Sequence, residues 1–399
     1  MTSFTELPLS AALQQRLKAN NFNTPTPVQA AAIPQALDGK DVLATAQTGT
    51  GKTLAFLVPL IERLMKNPAS RKVEALALVP TRELALQVQE HYELLRTNKL
   101  PKAAVIIGGM SERPQIQAIR SGARFVIATP GRLEDLMSRR LVDIRGVELL
   151  VLDEADRMLD MGFLPALRRI AGALPRQRQT MCFSATLEAS VAGLVNDYTR
   201  DPVRVALGST LKPAESVDLQ AFEVSQTDKF DTLRQLLRDE PGRTLIFART
   251  KRGTERLAKN LIRDGFLAAM IHGDRSQSQR ISALNGFEEG RFKVLVATDV
   301  ASRGIHVTNI AHVINYDLPA IPEDFIHRVG RTGRAGARGK ASTLVSPAET
   351  LELRTIERAL KLKVERKKIA PDRSVTRMAS HRNTLSGRTL NALPGEIFA

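Results

Sequence analysis

The chain is 399 residues long, of which 43% are hydrophobic and 25% charged, a composition that excludes disorder along its whole length. This length predicts two or three domains, since one domain takes about 150 residues. Lysine and arginine outnumber aspartate and glutamate by 58 to 42, which gives a formal net charge of +16. Such a charge favours a polyanionic partner, nucleic acid before an anionic membrane surface.

We expect the protein to work in the cytoplasm. Its single cysteine, Cys182, can form neither an internal disulfide nor a cysteine-based metal cluster, which fits a reducing compartment. The first ten residues lack the basic start and the apolar run of a signal peptide. No apolar run approaches the ~20 residues that a membrane-spanning helix needs.

Short runs rich in valine, isoleucine and leucine alternate with stretches of helical period. In chain order, the runs predict strands at 41–45, 73–79, 103–107, 125–128, 147–152 and 180–183, then at 244–247, 268–271, 293–297, 312–315 and 341–345. Alternating strands and helices are typical of parallel sheets that helices cover on both faces. The sequence therefore predicts an α/β fold with two mainly parallel sheets.

Two composition changes divide the chain. Residues 206–216 contain glycine, proline, serine and threonine without a periodic apolar pattern, which indicates a linker. After about residue 365, arginine, serine, asparagine and threonine dominate, which indicates a flexible basic tail. The predicted units are a first domain, a linker, a second domain and a tail, at 1–207, 208–216, 217–364 and 365–399.

Polar clusters follow the strands of the first half one after another, at 46–53, 80–84, 108–109, 129–132, 153–156 and 184–186. The carboxyl ends of parallel strands meet at one edge of a sheet, and ligands bind at that edge in open α/β folds. The first domain is therefore expected to present one continuous functional edge.

Residues 46–53 read AQTGTGKT and lie between a predicted strand and a predicted helix, where a phosphate-binding P-loop belongs. Glycines let the backbone N–H groups turn toward phosphate oxygens, Lys52 supplies a positive charge, and the Thr53 hydroxyl can bind Mg²⁺. The predicted nucleotide-binding residues of this loop are Ala46, Gln47, Thr48, Gly49, Thr50, Gly51, Lys52 and Thr53. Ala46 departs from the glycine that usually opens the pattern.

An acidic pair, Asp153 and Glu154, directly follows the apolar run VELLVL. An aspartate at this position can hold Mg²⁺, and the neighbouring glutamate can orient and deprotonate an attacking water. With a P-loop about 100 residues upstream, the pair predicts a site that hydrolyses a nucleoside triphosphate.

The ordered set of motifs resembles that of the DEAD-box ATP-dependent RNA helicases, from Phe4 to about residue 345. DEAD itself stands at 153–156, and FARTKRGTERL, HGDRSQSQR, ATDVASRGIHV and HRVGRTGR match the later motifs of the family. The resemblance implies two RecA-like domains around a cleft, with ATP and Mg²⁺ as cofactors and RNA as partner. It also implies local unwinding of duplexes when the domains close.

The resemblance assigns further residues. In NFNTPTPVQ, Gln29 would bind the adenine edge and Phe22 would pack on its ring, and His306 stands where the family usually has an aspartate that binds the ribose. RNA-backbone contacts are implied for Thr81, Arg82, Gly109, Thr129, Arg132, Arg280 and Thr298. Coupling between nucleotide and domain arrangement is implied for Ser184, Thr186 and His327.

Arg331 and Arg334 resemble arginine fingers that reach from the second domain to the γ-phosphate. An arginine there stabilises the charge that develops in phosphoryl transfer and is worth ~10³–10⁵ in rate. Since these arginines belong to the other domain, hydrolysis should need domain closure, and RNA bound across both domains should favour that closure.

Three alternatives remain open at this point. A processive DNA helicase would differ by showing no dependence on the 2′-hydroxyl. An ATP-gated RNA clamp would hold RNA with little unwinding. A membrane-surface protein is the least favoured, because no strong amphipathic anchor accompanies the basic charge.

We predict that His306 makes ATP binding sensitive to pH. A neutral imidazole can accept a hydrogen bond from the ribose and a protonated one cannot, so the KM for ATP should rise below about pH 6.5, the unperturbed histidine pKa. His306→Asp should remove this rise. Equal KM values for the native chain and the variant at about pH 6 and pH 8 would refute the hypothesis.

Overall fold

The computed structural model describes residues 2–46, 50–67, 70–185, 189–206, 216–240, 242–302, 307, 310–333 and 338–367. Within these ranges two parallel sheets form, each with seven strands, which confirms the predicted α/β fold. No helix in the described part of the chain is both long and apolar enough to cross a membrane.

The first sheet has the strand order β3-β4-β2-β5-β6-β1-β7, with every neighbouring pair parallel. Its strands are β1 (Val42–Thr45), β2 (Ala75–Leu78), β3 (Ala104–Ile106), β4 (Phe125–Ala128), β5 (Leu149–Leu152), β6 (Gln179–Ser184) and β7 (Val203–Ala206). Its helices are α1 (Ala11–Ala19), α2 (Pro27–Leu37), α3 (Lys52–Met65), α4 (Arg82–Leu95), α5 (Glu112–Arg120), α6 (Pro130–Ser138), α7 (Ala155–Asp160), α8 (Leu164–Ala173) and α9 (Ala189–Tyr198).

The second sheet has the order β10-β11-β9-β12-β13-β8-β14 and is also wholly parallel. Its strands are β8 (Val217–Glu223), β9 (Thr244–Phe247), β10 (Ala268–Ile271), β11 (Val294–Ala297), β12 (His312–Asn315), β13 (Gly339–Val345) and β14 (Glu365–Lys367). Its helices are α10 (Lys229–Asp239), α11 (Lys251–Arg263), α12 (Gln277–Glu288), α13 (Asp299–Ser302), α14 (Pro322–Val329) and α15 (Thr350–Leu360).

The sheets are covered on both faces, so each has two apolar cores. The four-residue strands β1, β2, β4 and β5 are buried at every position, which explains why they read as unbroken apolar runs. Helix α3 places Leu54, Leu57, Ile61 and Leu64 in one core, as their helical spacing predicts. These cores fix the strand ends that carry the polar clusters.

All eleven predicted strands are present, with ends shifted by at most two residues, and three further strands were not predicted. Strand β7 has only four residues, and β8 lies directly after the predicted linker, where an alternating pattern of seven residues was missed. Strand β14 reads Glu-Arg-Lys and carries no apolar signal, yet it pairs with β8. The first three residues of the predicted tail are therefore part of the second sheet. Of the predicted linker at 208–216, only Ser216 lies within the described residues.

We predict that Asp41→Ala destabilises the first sheet. Asp41 precedes β1 and is 8% exposed, and its two carboxylate oxygens accept the N–H groups of Thr180 and Arg200, each at 2.7 Å. The variant leaves the buried Thr180 N–H and the partly exposed Arg200 N–H without a partner, at a cost of about 1–3 kcal/mol for the buried one. We expect the lowest melting transition to fall by several degrees, while Asp38→Ala, at an exposed carboxylate close by, leaves it unchanged. Equal melting temperatures for both variants would contradict this role.

Candidate active site

The predicted P-loop joins β1 to α3. Lys52 is the first residue of α3 and is only 6% exposed, and its Nζ donates to the Ala46 carbonyl at 3.0 Å. Thr53 follows, half-buried, with its hydroxyl on the same helical turn. The N-terminus of a helix offers unpaired N–H groups and a positive dipole end, so this turn suits an anionic phosphate.

Gln29 contacts this loop from α2. Its Nε2 donates to the Gly51 carbonyl at 3.0 Å, and its Oε1 accepts the Thr26 N–H at 2.9 Å. Gly51 has a φ of 91°, and a Cβ there would lie 2.4 Å from Gln29 Nε2, so only glycine fits. Phe22 is half-buried against the apolar core of the first sheet. Gln29 therefore ties the segment predicted to bind adenine to the phosphate loop.

Asp153 and Glu154 follow β5 and are 3% and 4% exposed. Burial raises the pKa of Asp153 to about 7, against the opposing charge of Lys52. Burial would also raise the pKa of Glu154, but the charges of Arg157, Lys52 and Arg331 outweigh it and lower that pKa. Glu154 has a φ of 54°, a left-handed backbone that costs a residue other than glycine about 1–2 kcal/mol. A strained, buried acid beside cations is typical of a functional site.

The DEAD segment is hydrogen-bonded to the segment that follows β6. Asp156 Oδ2 accepts the Ala185 N–H at 2.9 Å. Ser184 is fully buried, and its hydroxyl has no hydrogen-bond partner among the described atoms. This hydrogen bond joins the DEAD segment to the residue that follows β6, and the predicted coupling role of Ser184 stays a prediction.

The second domain contributes Arg331, which is 3% exposed and whose Nε donates to the His327 carbonyl at 3.2 Å. Both residues line one small polar space that Arg157 of the first domain also lines. Burial and the charge of Arg157 lower the pKa of His327, so its imidazole is neutral at pH 7. Arg157, whose Nε lies 3.6 Å from Glu154 Oε2, thus connects the acidic pair of the first domain with the space that Arg331 of the second domain lines.

Arg328, which was not among the predicted site residues, holds this part of the second domain together. Its Nη2 donates to Asp299 Oδ2 at 2.7 Å and its Nη1 to Asn315 Oδ1 at 3.2 Å, and its guanidinium lies 5.0 Å from the Phe247 ring centroid. The side chain is fully buried. It ties the start of α13 to the helix that carries His327.

The residues predicted to contact RNA in the first domain lie at the carboxyl ends of β2, β3 and β4. Thr81 caps α4, with its hydroxyl accepting the Leu84 N–H at 3.2 Å, and Thr129 stands at the start of α6. Arg82 lies against the glycine pair after β3. A Cβ on Gly109 would lie 2.1 Å from Arg82 Nη1, so only a glycine leaves room for the guanidinium. Arg132 is close by, and its Nη1 is buried without a hydrogen-bond partner among the described atoms.

This edge is strongly cationic. Burial, together with the neighbouring charges of Arg280 and Arg132, lowers the pKa of the Arg82 guanidinium. Guanidinium groups and hydroxyls are the partners that proteins offer to a sugar-phosphate backbone. The cluster therefore suits a polyanion, with contacts that do not read bases.

A buried polar contact joins the domains beside this edge. Glu83 Oε1 accepts from Arg280 Nε at 2.8 Å and from Gln277 Nε2 at 3.1 Å, and Arg82 Nη1 donates to Gln277 Oε1 at 3.3 Å. Glu83 and Gln277 are 5% and 4% exposed. The predicted RNA residue Arg280 thus points at a carboxylate of the first domain, whereas Thr298, also predicted to contact RNA, lies buried after β11. Glu83 and Gln277 lie within the predicted motifs, at 80–84 and in HGDRSQSQR, but neither was predicted to be a site residue.

Several predicted site residues lie outside the part of the chain that the structure describes: Gln47, Thr48, Gly49, Thr186, His306 and Arg334. Their assignments remain predictions from the sequence.

Comparison with known proteins agrees with this geometry. The DEAD/DEAH box helicase family model matches residues 26–194, and the model of the helicase conserved C-terminal domain matches residues 228–336. The DEAD-box ATP-dependent RNA helicase CshA of Bacillus subtilis is 41% identical over 92% of this chain and 74% of its own length. This chain belongs to the DEAD-box ATP-dependent RNA helicases. It is therefore an ATP-hydrolysing enzyme with two RecA-like domains, as the motifs predicted.

Solved structures of two DEAD-box proteins add the domain arrangement. S. cerevisiae Dbp5 bound to RNA and ADP BeF3 is 31% identical, covers 96% of this chain and all of its own, and has a TM-score of 0.84. A DEAD box protein from Methanococcus jannaschii is 39% identical and covers 93% of this chain and 99% of its own, with a TM-score of only 0.53. The two domains of this chain are thus arranged as in the RNA- and nucleotide-bound protein.

Proposed function

We propose that this helicase hydrolyses ATP when RNA holds its two domains together, and that closure separates short RNA duplexes. The observation that carries the proposal is the link between Glu154 of the first domain and Arg331 of the second: Arg157 Nε lies 3.6 Å from Glu154 Oε2 and lines the same small space as Arg331, whose charge lowers the pKa of Glu154. A water oriented by Glu154 would attack the γ-phosphate, and Arg331, with Arg334, would stabilise the charge that develops. Because these groups belong to different domains, they can act together only in the closed arrangement.

The base and the phosphates of the nucleotide would be held by the first domain, and the ribose by His306 of the second. Lys52 and the N–H groups that open α3 would hold the phosphates. Gln29, whose amide already donates to the Gly51 carbonyl, would connect recognition of the base with the conformation of the phosphate loop. In this role Gln29 selects adenine and couples adenine binding to the conformation of the phosphate loop.

The residues at the acidic pair fit Mg²⁺. Asp153 is a buried carboxylate, and Thr53 offers a hydroxyl, both being oxygen ligands of the type that this hard cation prefers. Among the described residues, no group of three or more histidine, cysteine, aspartate or glutamate side chains could hold a metal. A magnesium ion here would therefore take its other ligands from the nucleotide and from water, and would help to neutralise phosphate charge.

RNA would lie along the cationic edge formed by Thr81, Arg82, Gly109, Thr129 and Arg132. Contacts of this type bind the sugar-phosphate backbone, so we expect little sequence preference. We assign Arg280 to domain closure, since its guanidinium pairs with Glu83. The cytoplasm, where ATP and RNA meet, is the compartment we propose.

An RNA clamp without unwinding is the second function considered. Lys52, Glu154 and Arg331 argue against an inactive enzyme but are expected in an ATP-hydrolysing clamp as well, so the likeness to RNA helicases is what favours the helicase. Strand separation of a short RNA duplex distinguishes the two, because a clamp would bind the duplex and hydrolyse ATP without releasing a strand.

We predict that RNA stimulates ATP hydrolysis by this chain. RNA that favours closure brings Arg331 to the γ-phosphate, a contribution of ~10³–10⁵ in rate when complete. We expect strong stimulation by single-stranded RNA, none by DNA of matched sequence, and loss of hydrolysis in Glu154→Gln with ATP binding retained. Equal stimulation by DNA would favour the DNA helicase instead, and no stimulation by either would contradict the closure mechanism.

We also predict that kcat/KM for ATP depends on pH through Asp153. The pKa of Asp153 near 7 means that this carboxyl becomes neutral as the pH falls below 7 and then no longer attracts Mg²⁺. The kcat/KM for ATP should fall by up to about tenfold per unit at lower pH, and a higher Mg²⁺ concentration should move the fall to lower pH, because the ion binds the charged form. Profiles at two Mg²⁺ concentrations test this. A fall that does not respond to Mg²⁺ would contradict the assignment.

A further prediction concerns the contact between Glu83 and Arg280. Glu83→Gln removes the charge that compensates a buried guanidinium in the closed arrangement, a loss of about 2 kcal/mol or more, or about thirtyfold. We expect RNA-stimulated hydrolysis to fall by that factor, while binding of a fluorescent ATP analogue to the first domain is unchanged. The control is Glu90→Gln, at an exposed carboxylate of α4. The charge swap of Glu83→Arg with Arg280→Glu should restore part of the activity, and a swap as inactive as the single variant would contradict a direct pairing.

A further inference from the structure

The two edges of the second sheet differ in character. Strand β14 at one end reads Glu-Arg-Lys, and such charges protect an edge from pairing with another strand. Strand β10 at the other end reads Ala-Ala-Met-Ile, and within the described ranges its one partner is β11. An apolar edge strand presents unpaired N–H and C=O groups and invites a further strand.

A groove of about 560 Å³ runs beside β10, between α11 on one face of the sheet and α12 on the other. Ile262 of α11 forms one wall and is 50% exposed. Ala283 of α12 and Phe292 form the apolar part of the other wall, and the exposed side chains of Ser278, Gln279 and Ser282 form its polar rim. Because both faces are covered, a strand added here would bury every side chain, so its sequence should contain adjacent apolar residues.

One charged residue, Arg275, is among the described residues that line the groove. Its side chain is half-buried, and its Nε is buried without a hydrogen-bond partner among the described atoms. A carboxylate in the occupant would supply that partner. The groove therefore fits an extended segment with two adjacent large apolar side chains and an acid beside them.

The chain contains such a segment beyond the described fold. Residues 392–399 read ALPGEIFA, and Ile397 and Phe398 are the one pair of adjacent large apolar residues in 368–399. Glu396 directly precedes them and is one of two acids among the basic residues of that region. In an added strand, Ile397 and Phe398 would point to opposite faces of the sheet, toward the two walls of the groove.

The length of chain permits this contact. Strands β14 and β10 lie six strand spacings apart, or about 29 Å at ~4.8 Å per spacing. The 28 residues from 368 to 395 can reach about 90 Å when extended. A tether of this reach gives an effective concentration in the millimolar range, so even a weak contact would be mostly formed.

We propose that residues 395–399 dock at the open edge of β10 in the same molecule, with Ile397 and Phe398 against the two walls and Glu396 at Arg275. The docked segment covers an apolar edge that would otherwise be open to pairing. This function is separate from ATP hydrolysis and needs neither nucleotide nor RNA.

Peptide binding tests the proposal. The probe is a labelled synthetic peptide of residues 388–399, and the protein is the full chain with Ile397→Asp and Phe398→Asp, which empties the groove of its own segment. We expect this chain to bind the peptide and the native chain to bind it about tenfold more weakly or worse, because its tethered segment competes. No binding, or equal binding by both chains, would overturn the proposal.

Matched variants locate the contact. In the chain with the emptied groove, Ile262→Asp should weaken the peptide by about tenfold or more, while Leu351→Asp, at a residue of α15 that is 73% exposed and outside the groove, should not. Arg275→Glu should weaken binding of the native peptide. A peptide that carries Glu396→Lys should bind that variant more tightly than the native peptide does. Binding that ignores both changes would overturn the assignment. Light scattering must show a monomer, since a dimer lost on Ile397→Asp would assign the groove to a second copy.

Discussion

The burial of Asp153 and Glu154 is the constraint on which the rest of the structure depends. An ionised carboxyl group away from water is unfavourable by several kcal/mol unless cations or donors surround it. The cations around Glu154 are Arg157 and Lys52 of the first domain and Arg331 of the second. Two of them are present whether or not the domains meet, whereas the third is present only when they do. The electrostatics of the acidic pair are therefore complete only in the closed arrangement.

The contacts that join the domains are suited to forming and breaking. The pairing of Glu83 with Arg280 and Gln277 is polar and hydrogen-bonded, and water can replace each of these bonds when the domains separate. Such contacts contribute little net free energy but select one geometry. The equilibrium between open and closed arrangements is then set by ligands that bind the closed one better, as a composite ATP and RNA site requires.

The fold was largely predictable because its strands are short and buried on both faces. Runs such as those of β2 and β5 are continuous and apolar, and the polar clusters at their ends marked the functional edge. Strand β14 was not predictable, since its three charged residues pair with β8 for tertiary reasons alone. The contact of Glu83 with Gln277 joins residues 194 positions apart, and nothing in either segment indicates the partner.

The central claim is that ATP and RNA together bring the two domains into this arrangement. Fluorescence energy transfer between dyes on Lys18→Cys and Lys259→Cys measures that directly, because both positions are exposed, one on each domain, and the native Cys182 is fully buried and does not react. The account predicts one transfer efficiency for the chain alone, with ATP alone or with RNA alone, and a distinct one only when both ligands bind. An efficiency that is the same with and without the two ligands would contradict it.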